Sequence, residues 1–83
     1  MIVTTPREHI EIQWKHVGEL ATVCTLVRNG TIECMTQSIK HPKDTFDRAI
    51  GRRLTMTQAI NHLDKPTRTA IWAAYGEMTH GKY

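Results

Sequence analysis

Alternation of apolar and polar residues marks the first part of the chain. Between His9 and Val17, the apolar residues Ile10, Ile12 and Trp14 alternate with polar ones. A period of two is typical of a β-strand with one buried and one exposed face. This stretch is therefore predicted to be a strand.

Two turn signals extend this strand into an antiparallel meander. Gly18-Glu19 fits a two-residue hairpin turn with glycine first, and Asn29-Gly30 is the strongest short hairpin signal in a sequence. The segments that follow these turns, Leu20–Arg28 and Thr31–Ile39, are rich in β-branched and other apolar residues. They are predicted to be the second and third strands.

The second half of the chain changes to a helical period. Asp44 or Thr45 can cap a first helix that runs to about His62, and Pro66 suits the first turn of a second helix that runs to about Met78. The expected fold class is α+β, a three-stranded antiparallel meander packed on one face by two C-terminal helices. We expect one domain over residues 1–83, with the meander at 8–39 and the two-helix layer at 44–80.

The two turns also predict which side chains share a face of the sheet. They place Trp14 opposite Val23 and Thr25 opposite Cys34, so that Cys24 and Cys34 point to opposite faces and no disulfide is expected. The face toward the helices would carry Ile10, Ile12, Trp14, Ala21, Val23, Val27, Ile32 and Cys34. The other face would present an apolar patch of Leu20, Leu26 and Met35, with Val17 and Ile39 beside them. A patch of this kind is either a contact surface for another protein or an ordinary half-covered sheet.

The net charge of +3 comes from one short stretch of the chain. Residues 40–53 hold five basic and two acidic residues, whereas basic and acidic residues balance in the remainder. Its basic residues are Lys40, Lys43, Arg48, Arg52 and Arg53. A basic loop and helix form the electrostatic footprint of a phosphate-binding surface, but most charge runs are simply solvated.

Two residues of the first helix are unusual for their positions. Arg53 falls among the apolar residues of this helix. In one interpretation its stem packs against them while its guanidinium group reaches solvent or a carboxylate. In the other, Arg53 anchors an anionic partner. Gly51 costs helix stability, which suggests that another segment of this chain or a partner approaches the backbone closely there.

No pattern in the sequence indicates catalysis, a metal or a cofactor. The five histidines show no zinc-site spacing, no glycine-rich phosphate loop is present, and the single serine, Ser38, has no nucleophile motif around it. We therefore expect a binding protein rather than an enzyme, with no cofactor. The chain also has no apolar run long enough to span a membrane and no signal-peptide pattern at its start.

Residues 42–53 resemble a recurrent element in short proteins of tailed bacteriophages. The matching residues are Pro42, Asp44, Phe46, Asp47, Ile50, Gly51, Arg52 and Arg53, with Trp72 and Tyr75 in the later helix. The similarity covers about Val23 to Met78. It implies a phage accessory protein of the host cytoplasm that acts on a host process or host defence.

The sequence thus leaves two expected functions. The first is a phage accessory protein that binds and modulates a host protein or defence complex, for example by inhibiting a nucleic-acid-processing or anti-phage system. The alternative is direct nucleic-acid binding through the basic loop and helix at 40–53. A homodimer through the outer sheet face would also account for the apolar patch.

Overall fold

The computed structural model describes residues 1–18, 20–39 and 48–80, without the side chain of His80. Four strands form one antiparallel sheet in the order β1-β2-β3-β4, and two helices follow. The elements are β1 (Ile2–Thr4), β2 (His9–Val17), β3 (Ala21–Arg28), β4 (Thr31–Ile39), α1 (Arg48–Ile60) and α2 (Lys65–His80). The α+β class with two C-terminal helices is confirmed, but the sheet has four strands instead of three.

The additional strand, β1, lies at the edge beside β2. Val3 pairs with Ile10, and the backbone N–H of Ile12 donates to the carbonyl of Met1 at 2.8 Å. A strand of three residues is too short to show a period in the sequence, which is why the pattern did not predict it.

The first hairpin has a different register from the predicted one. Val17 pairs with Ala21, so residues 18–20 connect the strands, and Trp14 lies opposite Cys24 instead of Val23. Because side chains alternate along a strand, a shift of one residue exchanges the two faces of β3. Thr22, Cys24 and Leu26 therefore point toward the helices, and the predicted inward positions of Ala21, Val23 and Val27 are wrong.

The second hairpin turns at Asn29-Gly30 as predicted, with positive φ angles of 52° and 84°. Val27 pairs with Ile32 as expected, but the register then shifts at a β-bulge, and Leu26 pairs with Cys34. Cys24 and Cys34 consequently lie on the same face of the sheet, contrary to the prediction, and both are free thiols. Ile32, predicted to face inward, is 62% exposed.

The core lies between the sheet and the two helices. α1 covers β3 and β4, and α2 lies toward β1. The buried apolar residues are Val3, Ile10, Ile12, Cys24, Leu26, Met56, Ala59, Ile60, Leu63, Ile71 and Tyr75. Gly51 is where α1 comes closest to the sheet, because a Cβ there would lie 2.4 Å from Thr22 Oγ1. The segment that approaches this glycine is therefore another part of the same chain.

The helix ends agree with the predictions to within two residues where the structure describes them. α1 ends at Ile60 and α2 begins at Lys65. Asp64 caps α2, since its Oδ1 accepts the backbone N–H of Thr67 at 3.3 Å. Hydrogen bonding from Thr67, first from its side chain and then from its backbone, lowers the pKa of the Asp64 carboxyl. The predicted start of the first helix at Asp44 or Thr45 lies outside the described residues.

Candidate binding surfaces

The outer face of the sheet is the face opposite the helices, and Met35 of β4 lies on it as predicted, whereas Leu20 lies in the connection before β3. Leu20 is 57% exposed and Met35 is 63% exposed. Leu26 is fully buried against the helices, so its predicted place in the outer patch is wrong. The three-residue connection at 18–20 turned it inward, because it shifts the register of β3 against β2 by one residue.

An apolar strip runs along β3 and β4 on this outer face. The register of the two strands pairs Ala21 with Ile39, Val23 with Gln37, Thr25 with Met35 and Val27 with Ile32, so that six of these eight side chains are apolar. Val17 continues the first pair onto β2. The neighbouring outer positions of β2 are polar or charged, namely His9, Glu11, Gln13 and Lys15. The outer face is therefore divided into an apolar half over β3 and β4 and a polar half over β2.

The free edge of β4 borders the apolar half. Among the strands that the structure describes, in the order β1-β2-β3-β4, β4 has a hydrogen-bonded neighbour on one side only. An edge strand exposes N–H and C=O groups that can pair with another strand. β4 contains no lysine, arginine or proline, which are the residues that commonly protect such edges.

The basic residues of α1 form a second surface. Arg48 and Arg53 are exposed and Arg52 is half-buried. Within the described ranges, no carboxylate lies within salt-bridge distance of these three guanidinium groups. Lys40 and Lys43, the other two residues predicted for this surface, lie outside the described residues.

Arg48 and Arg52 act together on His16 of β2. Burial lowers the pKa of the His16 imidazole, and the positive charges of Arg48 and Arg52 lower it further. The Nδ1 atom of His16 lies 3.0 Å from Thr22 Oγ1. The backbone of the same helix is fixed to β2, because the indole N–H of Trp14 donates to the carbonyl of Arg52 at 3.3 Å. Two of the predicted phosphate-binding residues are thus held in one place on a well-anchored helix.

A third feature is an ion-pair network at the other end of the sheet. Arg28 donates to Glu8 at 2.9 Å and to Glu33 at 2.6 Å, and His62 Nε2 lies 2.5 Å from Glu33. The hydrogen bond from Arg28 is the main reason that the pKa of Glu33 is lowered. The network borders an open groove of about 650 Å³ between residues 5–8 and the turn before α2. The charged residues that line the groove balance, with Arg7 and Arg28 against Glu8 and Asp64, so the groove shows no excess charge for a ligand.

The cysteine and metal chemistry of the chain is limited. Burial raises the pKa of the Cys24 thiol to about 11, and burial also raises the pKa of Cys34, whose Sγ donates to the carbonyl of Ala59. A thiol that is protonated at neutral pH is a weak nucleophile. In the part of the chain that the structure describes, no cluster of three metal-ligating side chains occurs. No helix in that part is long and apolar enough to cross a membrane.

Comparison of the chain with protein-family models, curated proteins and solved structures gives no match. The resemblance to short tailed-phage proteins therefore stays a prediction.

Proposed function

We propose that the chain is a non-enzymatic accessory protein that binds another protein through the apolar half of its outer sheet face. The observation that carries this proposal is the exposure of large apolar side chains on one uncovered face, including Met35 at 63% and Ile39 at 67%. Apolar residues gathered on one surface mark an interaction site more often than apolar residues scattered singly. Methionine adapts well to different contact partners.

The dimensions of the strip favour a helix as the partner segment. From Ile32 to Ile39 the strip is about 23 Å long, and two adjacent strands are about 10 Å wide, close to the diameter of an α-helix. On the inner face, α1 already covers the same two strands. An amphipathic helix of a partner protein would cover their outer side in the same way and exclude water from the apolar pairs.

The setting of the proposed function comes from the sequence resemblance. A phage accessory protein that binds by surface contact would act on a host protein, and a defence or nucleic-acid-processing complex is the proposed target. Inhibition of that target by occupying one of its helices needs no catalytic group on this chain. The network of Arg28, Glu33 and His62 has no part in this proposal.

The proposal is tested by photo-crosslinking in a lysate of the bacterial host. A benzophenone side chain replaces Thr25, at the middle of the strip, or Gln13, which is paired with Thr25 but lies in the polar half. We expect a discrete adduct from position 25 whose partner peptide belongs to an amphipathic helix, and none from position 13. Equal labelling from both positions, or no host adduct from position 25, would overturn the proposal.

Lysine substitutions at positions 25 and 13 test the same surface by pull-down of the partner. A charge in the middle of the strip would have to be desolvated on binding, so we expect Thr25→Lys to lose the crosslinked partner in pull-down experiments. Gln13→Lys should retain it. Because both side chains point away from the core, both variants should unfold at nearly the same temperature as the unmodified protein.

Direct nucleic-acid binding is the second candidate, and the cations of α1 favour it. Arg48, Arg52 and Arg53 have no acidic partner in the described ranges, and a cation without an internal partner is available to a phosphate. If Lys40, Lys43, Arg48 and Arg52 each contact one phosphate of duplex DNA, these four contacts would give a slope of about −3.6 for log K against log salt concentration. Absence of measurable binding at low salt would exclude this candidate.

A further inference from the structure

β4 has the properties of a strand that pairs with another strand. It is nine residues long and forms one edge of the sheet, whereas the opposite edge, β1, has three residues. Its only charged residue, Glu33, is engaged by Arg28 and His62. Proteins usually shorten, charge or cover such an edge, and the described part of this chain shows none of these protections at β4.

The Asn29-Gly30 turn determines which backbone groups of β4 are free. Positive φ angles at both residues define a two-residue turn of the type in which the flanking pair, Arg28 and Thr31, is hydrogen-bonded. Hydrogen-bonded and non-hydrogen-bonded pairs alternate along an antiparallel ladder, and the bulge keeps Cys34 paired with Leu26. Met35, Gln37 and Ile39 therefore direct their N–H and C=O groups away from β3, toward the free edge.

We propose that two copies of the chain pair through their β4 edges, antiparallel and around a two-fold axis at Gln37. This register places Gln37 opposite its own copy, and Met35 of each protomer opposite Ile39 of its partner. All three pairs join residues whose backbone groups point to the free edge, so they would form roughly six N–H···O bonds. The inference goes beyond the proposed function, because the edge lies beside the outer strip and its occupant is a second copy of this chain.

The side chains select this register over the neighbouring one. With the axis at Thr36, Met35 would lie opposite Gln37 and Ile39 opposite Glu33, so that no two apolar side chains would face each other. With the axis at Gln37, the amide pair at the axis is flanked on each side by a pair of Met35 with Ile39. These two side chains are 63% and 67% exposed in the monomer. Cross-strand apolar pairs and amide hydrogen bonds stabilise an antiparallel ladder, and no like charges face each other.

The helix layer is compatible with the same arrangement. α1 lies over β3 and β4, so its axis is about half a strand spacing inside β4. Across the two-fold axis, the two α1 helices would lie about 10 Å apart, which is the ordinary distance between packed helices. Trp14 of β2 contacts α1 at Arg52. Met56 and Ile60, which are buried, follow Arg52 at four-residue steps, so the side of α1 that carries them faces β2. The opposite flank carries the 49% exposed Leu54, and at this distance the two copies of Leu54 would come together.

The test uses the oligomeric state and a pair of charge variants. By light scattering and sedimentation over a micromolar to millimolar range, we expect the unmodified chain to form a dimer. In Met35→Lys/Ile39→Lys, like charges would face each other in both apolar pairs, so this variant should be monomeric. Met35→Lys/Ile39→Glu changes the same two positions but would pair opposite charges across the axis, so it should still form a dimer.

A cysteine variant tests the axis directly. Gln37→Cys would bring two thiols together at the two-fold axis, within the Cα separation that a disulfide accepts, and mild oxidation should yield a covalent dimer. Gln13→Cys, on the same face of an inner strand, should not cross-link at the same rate. A monomer at all concentrations, a dimer of the double-lysine variant, or a monomer of the lysine/glutamate variant would each overturn the proposal. None of these outcomes bears on the benzophenone adduct at position 25, so the two proposals fail independently.

Discussion

Gly51 of α1 lies directly against Thr22 of β3. A Cβ at residue 51 would stand 2.4 Å from Thr22 Oγ1 and 3.0 Å from its Cβ. Thr22 is buried, and its hydroxyl lies 3.0 Å from His16 Nδ1. A glycine inside a helix costs about 1 kcal/mol relative to alanine, and here its lack of a side chain allows the helix to lie close to the sheet.

Gly51→Ala should destabilise the protein although alanine is the better helix former. The added methyl group would force a stiff, buried threonine to move, and overpacking of this kind costs about 1–3 kcal/mol, which exceeds the gain in helix propensity. Chemical denaturation should give a net loss of about 1–2 kcal/mol in the free energy of unfolding. Gly76→Ala is the matched control, because no atom lies within 4 Å of a Cβ at residue 76 of α2, and it should stabilise the protein by up to about 1 kcal/mol.

A double-mutant cycle identifies the contact. Thr22→Ala removes the hydroxyl that the new methyl group would meet, so Gly51→Ala should cost less in that background than in the unmodified protein. An equal cost in both backgrounds would show that the helix does not approach the sheet at Thr22.

Leu26→Ala and Leu20→Ala distinguish the observed register of β3 from the predicted one. Leu26 is fully buried, so its truncation leaves a cavity and should lower the free energy of unfolding by about 2–5 kcal/mol. Leu20 is 57% exposed, and the same substitution there should change it by about 0.5 kcal/mol or less. Similar small effects at both positions would favour the predicted face assignment instead.

Each described element except the three-residue β1 could be predicted from the sequence, whereas the faces of β3 could not. Period-two alternation and Asn29-Gly30 located the strands because both signals are local. The first turn was ambiguous, because Gly18 fits a two-residue turn as well as the connection of residues 18–20 that the structure contains. One residue in a turn decides which side chains of the next strand face the core. Sequence alone gave no signal that separated these two turns.

The β-bulge was the second feature that the sequence concealed. It lies within Thr31–Ile39, where the alternation of side chains gives no warning of an extra residue. The extra residue is Glu33, which accepts a hydrogen bond from Arg28 at 2.6 Å and contacts His62. Those partners are distant in sequence, so a pattern confined to one strand cannot reveal them.

Glu33→Gln should make the stability of the protein less dependent on pH under acidic conditions. The hydrogen bond from Arg28 lowers the pKa of Glu33 in the folded state below its usual range. A carboxylate with a lowered pKa contributes stability above its unfolded-state pKa of about 4.3, and this contribution is lost as the pH falls through the folded-state value. At pH 7 the substitution should cost about 1 kcal/mol, and the cost should disappear toward pH 3.

Thermal unfolding of both proteins between pH 7 and pH 3 measures this difference. Glu77→Gln, on the exposed surface of α2, provides the control and should follow the unmodified protein at every pH. A difference between Glu33→Gln and the unmodified protein that grows toward low pH would contradict the assignment, because the linkage has the opposite sign.

The candidate surfaces were predicted in part. Arg48, Arg52 and Arg53 could be recognised because charge clusters are visible in a sequence, and Met35 and Leu20 are exposed as expected. The pairing of β4 with β3 and its place at the edge of the meander were predicted from the Asn29-Gly30 hairpin and are confirmed. The apolar strip also depends on the bulge, because the extra residue places Met35 and Ile39 on the same face as Ile32.

The pKa of His16 measures how close the cations of α1 lie to the sheet. Burial, Arg48 and Arg52 lower this pKa below the usual 6.5. The neutral form of His16 therefore contributes its full stability above pH 6.5, and this contribution is lost as the pH falls from 6.5 through the folded-state pKa. Arg52→Gln removes one positive charge, and the pKa of His16 measured by NMR titration should rise. Arg53→Gln removes the same charge from the next residue, which does not perturb His16, and should leave the titration unchanged. Equal shifts from both variants would mean that His16 responds to the net charge of the protein and not to a positioned pair of guanidinium groups.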